Sequence, residues 1–266
     1  MPYSRRAGVK TYYEVSGEGY PFVFMHANPF DRRMFLYQVA HFSTYFKVIN
    51  IDLRGYGYSD KPAAPITMTD LCEDVVAVCR QEGVDEAIFA GVSVGGVMGL
   101  HLGLDHPEIF KALILVDCSS MPGDRYQTRI DGYMKQGVAE FHIQHLTDLV
   151  SKDFPQTKLG KYLLGMHTEM DARLSAPAIA EIFHALQNRD LTARLAELKM
   201  PVLIMNGEFD NSLKRSKEMS TRIAGAEHRV ISGAGHACCL EDPVTFDEIV
   251  MHFLEKNRFI RRSGNY

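Results

Sequence analysis

Short runs of apolar and β-branched residues recur along the chain, separated by longer stretches whose apolar positions fall three and four apart. The first pattern is that of strands buried in a sheet and the second that of amphipathic helices. Their alternation marks βαβ units around a mostly parallel sheet. Strands are predicted at residues 8–15, 21–26, 46–53, 86–93, 111–117, 201–207 and 228–232, with the turn-rich stretch 16–19 between the first two. Helices are predicted at 31–42, 68–82, 94–105, 212–224 and 243–257. Thr67 or Thr69 is placed to cap the second helix and Gly83 to end it.

The rhythm breaks between residues 119 and 199, which carry helical pattern and turn residues but no strand. The predicted organisation is therefore an α/β core built from 1–118 and 200–266, with a helical insertion at 119–199. The insertion is electrically balanced, with ten Lys and Arg against ten Asp and Glu, and no Ser/Pro-rich linker flanks it. It is expected to pack on the sheet. The polar, basic stretch 258–266 is expected to fray.

Composition narrows the function. With 46% hydrophobic and 23% charged residues among 266, the chain has the balance of an ordinary globular protein. A net charge of −4 provides no large positive field for nucleic-acid phosphates. The cysteines number five and form no C-x-x-C pair, which disfavours both a disulfide framework and a structural zinc site. No stretch approaches about 18 uninterrupted apolar residues, and no apolar segment follows the early Arg5 and Arg6. A protein acting in the cytoplasm on a small molecule, without nucleic acid or membrane as partner, is the expectation.

The chemistry begins where the strand at 86–93 ends, in Gly91-Val92-Ser93-Val94-Gly95. A G-x-S-x-G sequence between a strand and a helix forces the serine into a strained backbone conformation and exposes its side chain above the sheet. Small residues two positions to either side avoid the clash. The backbone N–H of Val94, at the helix start, then faces any anion forming beside the Ser93 hydroxyl. At these residues the chain resembles the α/β-hydrolase family.

The resemblance implies a serine activated by a histidine that a carboxylate orients, in the chain order serine, acid, histidine. After the strand at 201–207 comes Glu208-Phe209-Asp210, and after the strand at 228–232 comes Gly233-Ala234-Gly235-His236. Asp210 is read as the acid and His236 as the base. Glu208 is a nearby alternative acid, Asp117 follows another strand where some hydrolases place theirs, and Asp210 is equally placed to cap the next helix. His142 and His145, three apart, could mimic a metal pair.

The stretch His26-Ala27-Asn28-Pro29 is similar to the family's H-G-x-P loop, with Ala27 in place of glycine. It implies that the Asn28 backbone N–H joins that of Val94 in an oxyanion hole, that His26 braces the loop, and that the Asn28 side chain is available to substrate. The family-like Asp52-Leu53-Arg54-Gly55-Tyr56-Gly57-Tyr58-Ser59-Asp60 reads as structural, with Arg54 pairing Asp52 or Asp60.

Serine rather than aspartate at position 93 implies acyl transfer, with no metal or organic cofactor required. The insertion resembles the helical cap of this family and supplies Met121, Tyr126, Tyr133, Met134, Phe141, Phe154, Met166, Met170 and Phe183, which suit a small or medium ester or lactone. Its Arg125, Arg129, Arg173 and Arg189 are candidates to hold a substrate carboxylate. Within the family the chain is most similar to oxoadipate enol-lactonases and small carboxylesterases. Hydrolases of carbon–carbon bonds, and slow-turnover small-molecule receptors, share the same triad and are the alternatives.

Overall fold

The structure, a computed structural model, describes residues 3–62, 65–187 and 190–260. Its strands are β1 (Tyr3–Arg6), β2 (Val9–Ser16), β3 (Tyr20–Met25), β4 (Phe46–Ile51), β5 (Ala87–Val92), β6 (Phe110–Val116), β7 (Val202–Gly207) and β8 (Glu227–Ile231). They form one sheet in the order β1-β2-β4-β3-β5-β6-β7-β8. The pairs β1·β2 and β2·β4 are antiparallel, and every pair from β4 onward is parallel. The α/β-hydrolase fold expected from the sequence is the fold observed.

Parallel strands covered on both faces read as continuous apolar runs, and every residue of β5 and β7 is buried. Alternate side chains go to opposite sides. On β3, Val23 and Met25 enter one apolar cluster while Phe22 and Phe24 enter the other; on β6, Leu113 and Leu115 separate in the same way from Ile114 and Val116.

Against the first face pack α2 (Met68–Gln81) and α3 (Val94–Asp105); against the second pack α1 (Leu36–Phe42) and α10 (Pro243–Lys256). The predicted cap of α2 is Thr67, which accepts from Asp70 N in a capping box.

Between β6 and β7 the chain runs through α4 (Tyr126–Gln136), α5 (Val138–Asp148), α6 (Lys158–Thr168) and α7 (Ala176–Gln187). This segment feeds both apolar clusters: Ile130, Tyr133, Phe141 and Ile179 join the first, and Leu146, Phe154 and Leu163 the second. After β7 come α8 (Leu213–Ser220) and the four-residue α9 (Cys238–Glu241).

Some expectations need correction. β1 was not predicted, because the short polar Tyr-Ser-Arg-Arg carries no apolar alternation; what makes it a strand is its pairing with β2. The predicted helix at 31–42 opens as a 3-10 turn, Arg32–Phe35, capped by Asp31. Residues 258–260 are not frayed: the Phe259 ring packs 5.5 Å from that of Tyr20, and Ile260 lies against the second cluster. The rest of the expected fray, 261–266, lies outside the described residues.

Candidate active site

Ser93 sits between β5 and α3 with φ 56° and ψ −112°, in a region that costs a non-glycine residue about 1–3 kcal/mol. The surroundings hold it there. Ser93 N donates to Val116 O at 2.8 Å, and Val97 N donates to Ser93 O at 2.9 Å. The flanking glycines are required by space: a Cβ on Gly91 would lie 2.3 Å from the carbonyl carbon of Gly95, and one on Gly95 2.2 Å from Met25 O.

His236 reaches the same end of the sheet from the loop after β8. Gly207, at the end of β7, lets this loop cross closely, since a Cβ there would meet Gly235 O at 2.0 Å. Two further bonds fix it: Gly235 N donates to Glu241 Oε1 at 2.7 Å, and Ala237 N to Leu149 O at 2.8 Å. His236 Nδ1 then meets Asp210 Oδ2 at 2.5 Å. The other Asp210 oxygen accepts from Ser212 N at 2.8 Å and from the Ser212 hydroxyl, so one carboxylate both orients the histidine and caps the turn into α8.

The other two carboxylates weighed as acid do different work. Glu208 is exposed and braces the β8 loop by accepting from Gly233 N and the Ser232 hydroxyl, each at 2.8 Å. Asp117 is 1% exposed, behind Asp210; its oxygens accept from Gly207 N at 2.9 Å and from the Cys238 thiol at 3.2 Å. Asn206 links the two, its Nδ2 lying 3.3 Å from Asp117 Oδ1 and 3.4 Å from Asp210 Oδ1. Asn206 and Ser212 were not singled out in the sequence, where a polar residue inside a strand and a serine after an Asp carry no distinctive signal.

Charge follows from these contacts. Burial pushes Asp117 well above the usual carboxylate range, and the neighbouring Asp210 adds to it. Burial acts on Asp210 in the same sense, but the charge and hydrogen bond of His236, with those of Ser212, outweigh it and hold Asp210 low. For His236, burial disfavours the cation, while Asp210 favours it more and raises the ring above its ordinary value. Ligand-capable atoms of Asp117, Asp210 and His236 lie within 4.8 Å of one another, and all three side chains take part in the hydrogen bonds just described.

On the β3 side, Leu53 N donates to His26 Nε2 at 2.9 Å and His26 Nδ1 donates to Ala27 O at 2.9 Å, which fixes the neutral tautomer and ties the loop to β4. Tyr56 donates to Asn28 Oδ1, leaving the buried Asn28 Nδ2 without a partner. Neither Asn28 N nor Val94 N has a protein acceptor among the described residues. Arg54 does not pair with Asp52 or Asp60 as expected. It makes a bidentate contact with Asp74 of α2, both bonds at 2.7 Å, while Asp52 takes Arg32 and Tyr58 N.

Ser93, Asn28, Asp210 and His236 line one cavity of about 320 Å³, closed on its far side by residues of the β6–β7 segment. Of the apolar residues singled out there, Tyr126 and Phe183 line the cavity. Met121 and Met134 are exposed, and Tyr133 and Phe141 are packed against each other. Arg125 and Arg129 line it, Arg173 lies over the Tyr58 ring, and Arg189 lies outside the described residues. His142 and His145 are no metal pair: the first bonds Asp171 and Pro29 O, the second Tyr133.

Comparison with known proteins agrees with this architecture. The chain is 28% identical over 259 residues to a protein of the AB hydrolase superfamily from Bacillus subtilis, covering 92% of this chain and 95% of that protein. It is 26% identical over 221 residues to 3-oxoadipate enol-lactonase 2 of Acinetobacter baylyi, covering 82% of each. The crystal structure of the enol-lactonase from Burkholderia xenovorans LB400 superimposes with a TM-score of 0.90 at 24% identity, over 96% of this chain and all of that one (100%). The family described as having the alpha/beta hydrolase fold matches residues 20–243, and this chain belongs to it.

Proposed function

We propose that the protein is a serine hydrolase that opens a small ester or lactone through an acyl-enzyme at Ser93. The observation that carries this reading is the Asp210–His236 contact of 2.5 Å in the cavity that Ser93 lines from its strained turn. Since Nδ1 of His236 is committed to Asp210, Nε2 is the ring atom available as base.

In the proposed sequence His236 Nε2 takes the Ser93 proton as Oγ attacks the carbonyl carbon. The N–H groups of Asn28 and Val94 receive the negative charge that moves onto the carbonyl oxygen, and Asp210 stabilises the imidazolium. Collapse breaks the C–O bond to the leaving group, which takes the proton from His236. A water molecule, deprotonated in turn by His236, attacks the acyl-enzyme, releases the acid and restores Ser93. With a lactone the leaving hydroxyl stays attached to the acyl chain, and one hydroxy acid is released. The enol-lactonase relative supports the lactone form of this reaction.

Steady-state hydrolysis of p-nitrophenyl acetate and butyrate tests the reading. The expected result is many turnovers per protein and loss of activity in Ser93→Ala and His236→Ala. A burst of one equivalent without turnover would favour a slow receptor on the same fold. Retained turnover in Ser93→Ala would overturn the proposal.

A further inference from the structure

The ring of His145, on α5, lines the cavity that Ser93 and His236 share, yet the proposed reaction gives it no part. It is 2% exposed and stands among aromatic rings, Tyr133 at 5.6 Å and Phe141 and Phe183 each at 6.0 Å. Its Nδ1 lies 3.0 Å from the hydroxyl of Tyr133, a residue sealed from solvent. Its Nε2 has no partner among the described residues, and unlike both nitrogens of His167 it is not shut off from open space.

Which nitrogen carries the proton follows from the tyrosine. Among the described residues the Tyr133 hydroxyl has one hydrogen-bond neighbour, His145 Nδ1. If Nδ1–H donated to that oxygen, the buried phenol proton would be left without an acceptor, at the full desolvation cost of an unpaired donor. Nδ1 therefore accepts, and the ring proton sits on Nε2. Burial, with Arg129, His142 and His236 adding to it, pushes the ring well below the ordinary histidine value, which leaves the uncharged imidazole at neutral pH. His145 thus offers the cavity one neutral N–H. The charged groups of the same wall largely answer one another: Arg129 donates to Asp148 and Arg215 to Asp124, and both acids also line the cavity, while Arg125 is exposed.

We infer that His145 Nε2–H is a substrate-binding donor, and that the substrate carries, away from its scissile carbonyl, a second and uncharged oxygen of the ether or hydroxyl kind that accepts from it. The inference rests on the serine-hydrolase reading of the same cavity. A donor fixed in advance among aromatic rings binds such an oxygen without further ordering. It also rejects a chain that lacks one, because that chain displaces water from Nε2 and puts no acceptor in its place. A volume of about 320 Å³ is at the small end of ligand pockets, so the substrate class is a short oxygenated ester or lactone.

The test uses neutral esters that differ only in one methylene exchanged for oxygen, followed by pH-stat titration. On the acyl side, ethyl hexanoate is compared with the ethyl esters of propoxyacetic, β-ethoxypropionic and γ-methoxybutyric acids; on the alcohol side, butyl butyrate is compared with methoxyethyl butyrate. Each rate is divided by that ester's alkaline hydrolysis rate, which removes the inductive effect of the added oxygen. In the parent at least one oxygen isostere is expected to exceed its carbon counterpart about tenfold in corrected kcat/KM, the difference lying in KM. His145→Phe keeps a ring for the aromatic packing and removes the donor, and there the preference is expected to fall to within about twofold of unity. Long-range ¹⁵N–¹H correlation NMR of the parent, which needs no variant to fold, is expected to place the His145 proton on Nε2 at neutral pH. A proton on Nδ1, equal corrected kcat/KM throughout both sets in the parent, or an unchanged preference in folded His145→Phe overturns the inference and leaves ester hydrolysis at Ser93 standing. Failure to hydrolyse any of the esters, in protein whose Ser93 also resists acylation, refutes the hydrolase reading and the inference with it.

Discussion

At the residue scale, the site holds two neighbouring carboxylates whose surroundings shift them in opposite directions. The charge and hydrogen bond of His236, with those of Ser212, hold Asp210 low, whereas burial and the neighbouring Asp210 push Asp117 up, more than His236 offsets. The proposed base works only when neutral, so kcat/KM is expected to rise with pH through the His236 pKa. Because Asp210 raises that pKa, the rise lies above the ordinary histidine value. Asp210→Asn removes the raising charge: the limb is expected to move to lower pH and kcat to fall by about 10⁴. Asp117→Asn, which leaves the Asp210–His236 contact in place, should keep kcat near the parent's. A pH–rate series on the two variants checks both. Glycine spacing and chain order single out Ser93 and His236 in the sequence, and the structure brings both to one cavity. The different surroundings of Asp117 and Asp210 were not legible there, since both follow strands and are buried, and only tertiary contacts such as that of His236 separate them.

Elements place these residues. The predicted bounds of α3 coincide with Val94–Asp105 because the G-x-S-x-G turn marks where strand must give way to helix. Gly95→Ala would drive a methyl group to 2.2 Å from Met25 O and should cost about 3 kcal/mol, read as a lower urea midpoint at unchanged slope. The His236 loop depends on a contact that no local pattern announces. Glu241 accepts from Gly235 N at 2.7 Å with one oxygen and from Ser151 N at 2.8 Å with the other. Glu241→Ala orphans both donors and is expected to cost about 1–3 kcal/mol for each while lowering kcat/KM. Denaturation and kinetics on this one variant check whether loop order and activity fall together. Strand and helix positions were legible from periodicity; long-range brackets such as this one were not, because they join residues about ninety apart.

At the scale of the whole molecule, the helices between β6 and β7 are bound to the rest through both apolar clusters, through His142 on Pro29 O, and through His167, whose ring stands 4.8 Å from that of Phe30. The sequence reads as a helical insertion at 119–199 expected to pack on the sheet, but its seat on the Asn28 loop is set by tertiary contacts that no local pattern announces. His167 supplies a pH test. Burial drives its pKa down to about 3, with Arg33 helping and Asp31 opposing. The unfolded chain takes up that proton near pH 6.5, so stability holds above this pH and declines below it until about pH 3. Between pH 6.5 and 4.5 the loss from this ring should be roughly 2–3 kcal/mol, and His167→Leu should flatten the decline in urea midpoints. The central claim, an activated Ser93, is tested most directly by intact-protein and peptide mass spectrometry after exposure to a small fluorophosphonate. The account predicts one phosphonyl adduct per chain, on Ser93, formed with loss of fluoride, absent in Ser93→Ala and strongly slowed in His236→Ala. Folded parent protein that stays unmodified, or an adduct on any other residue, would contradict it.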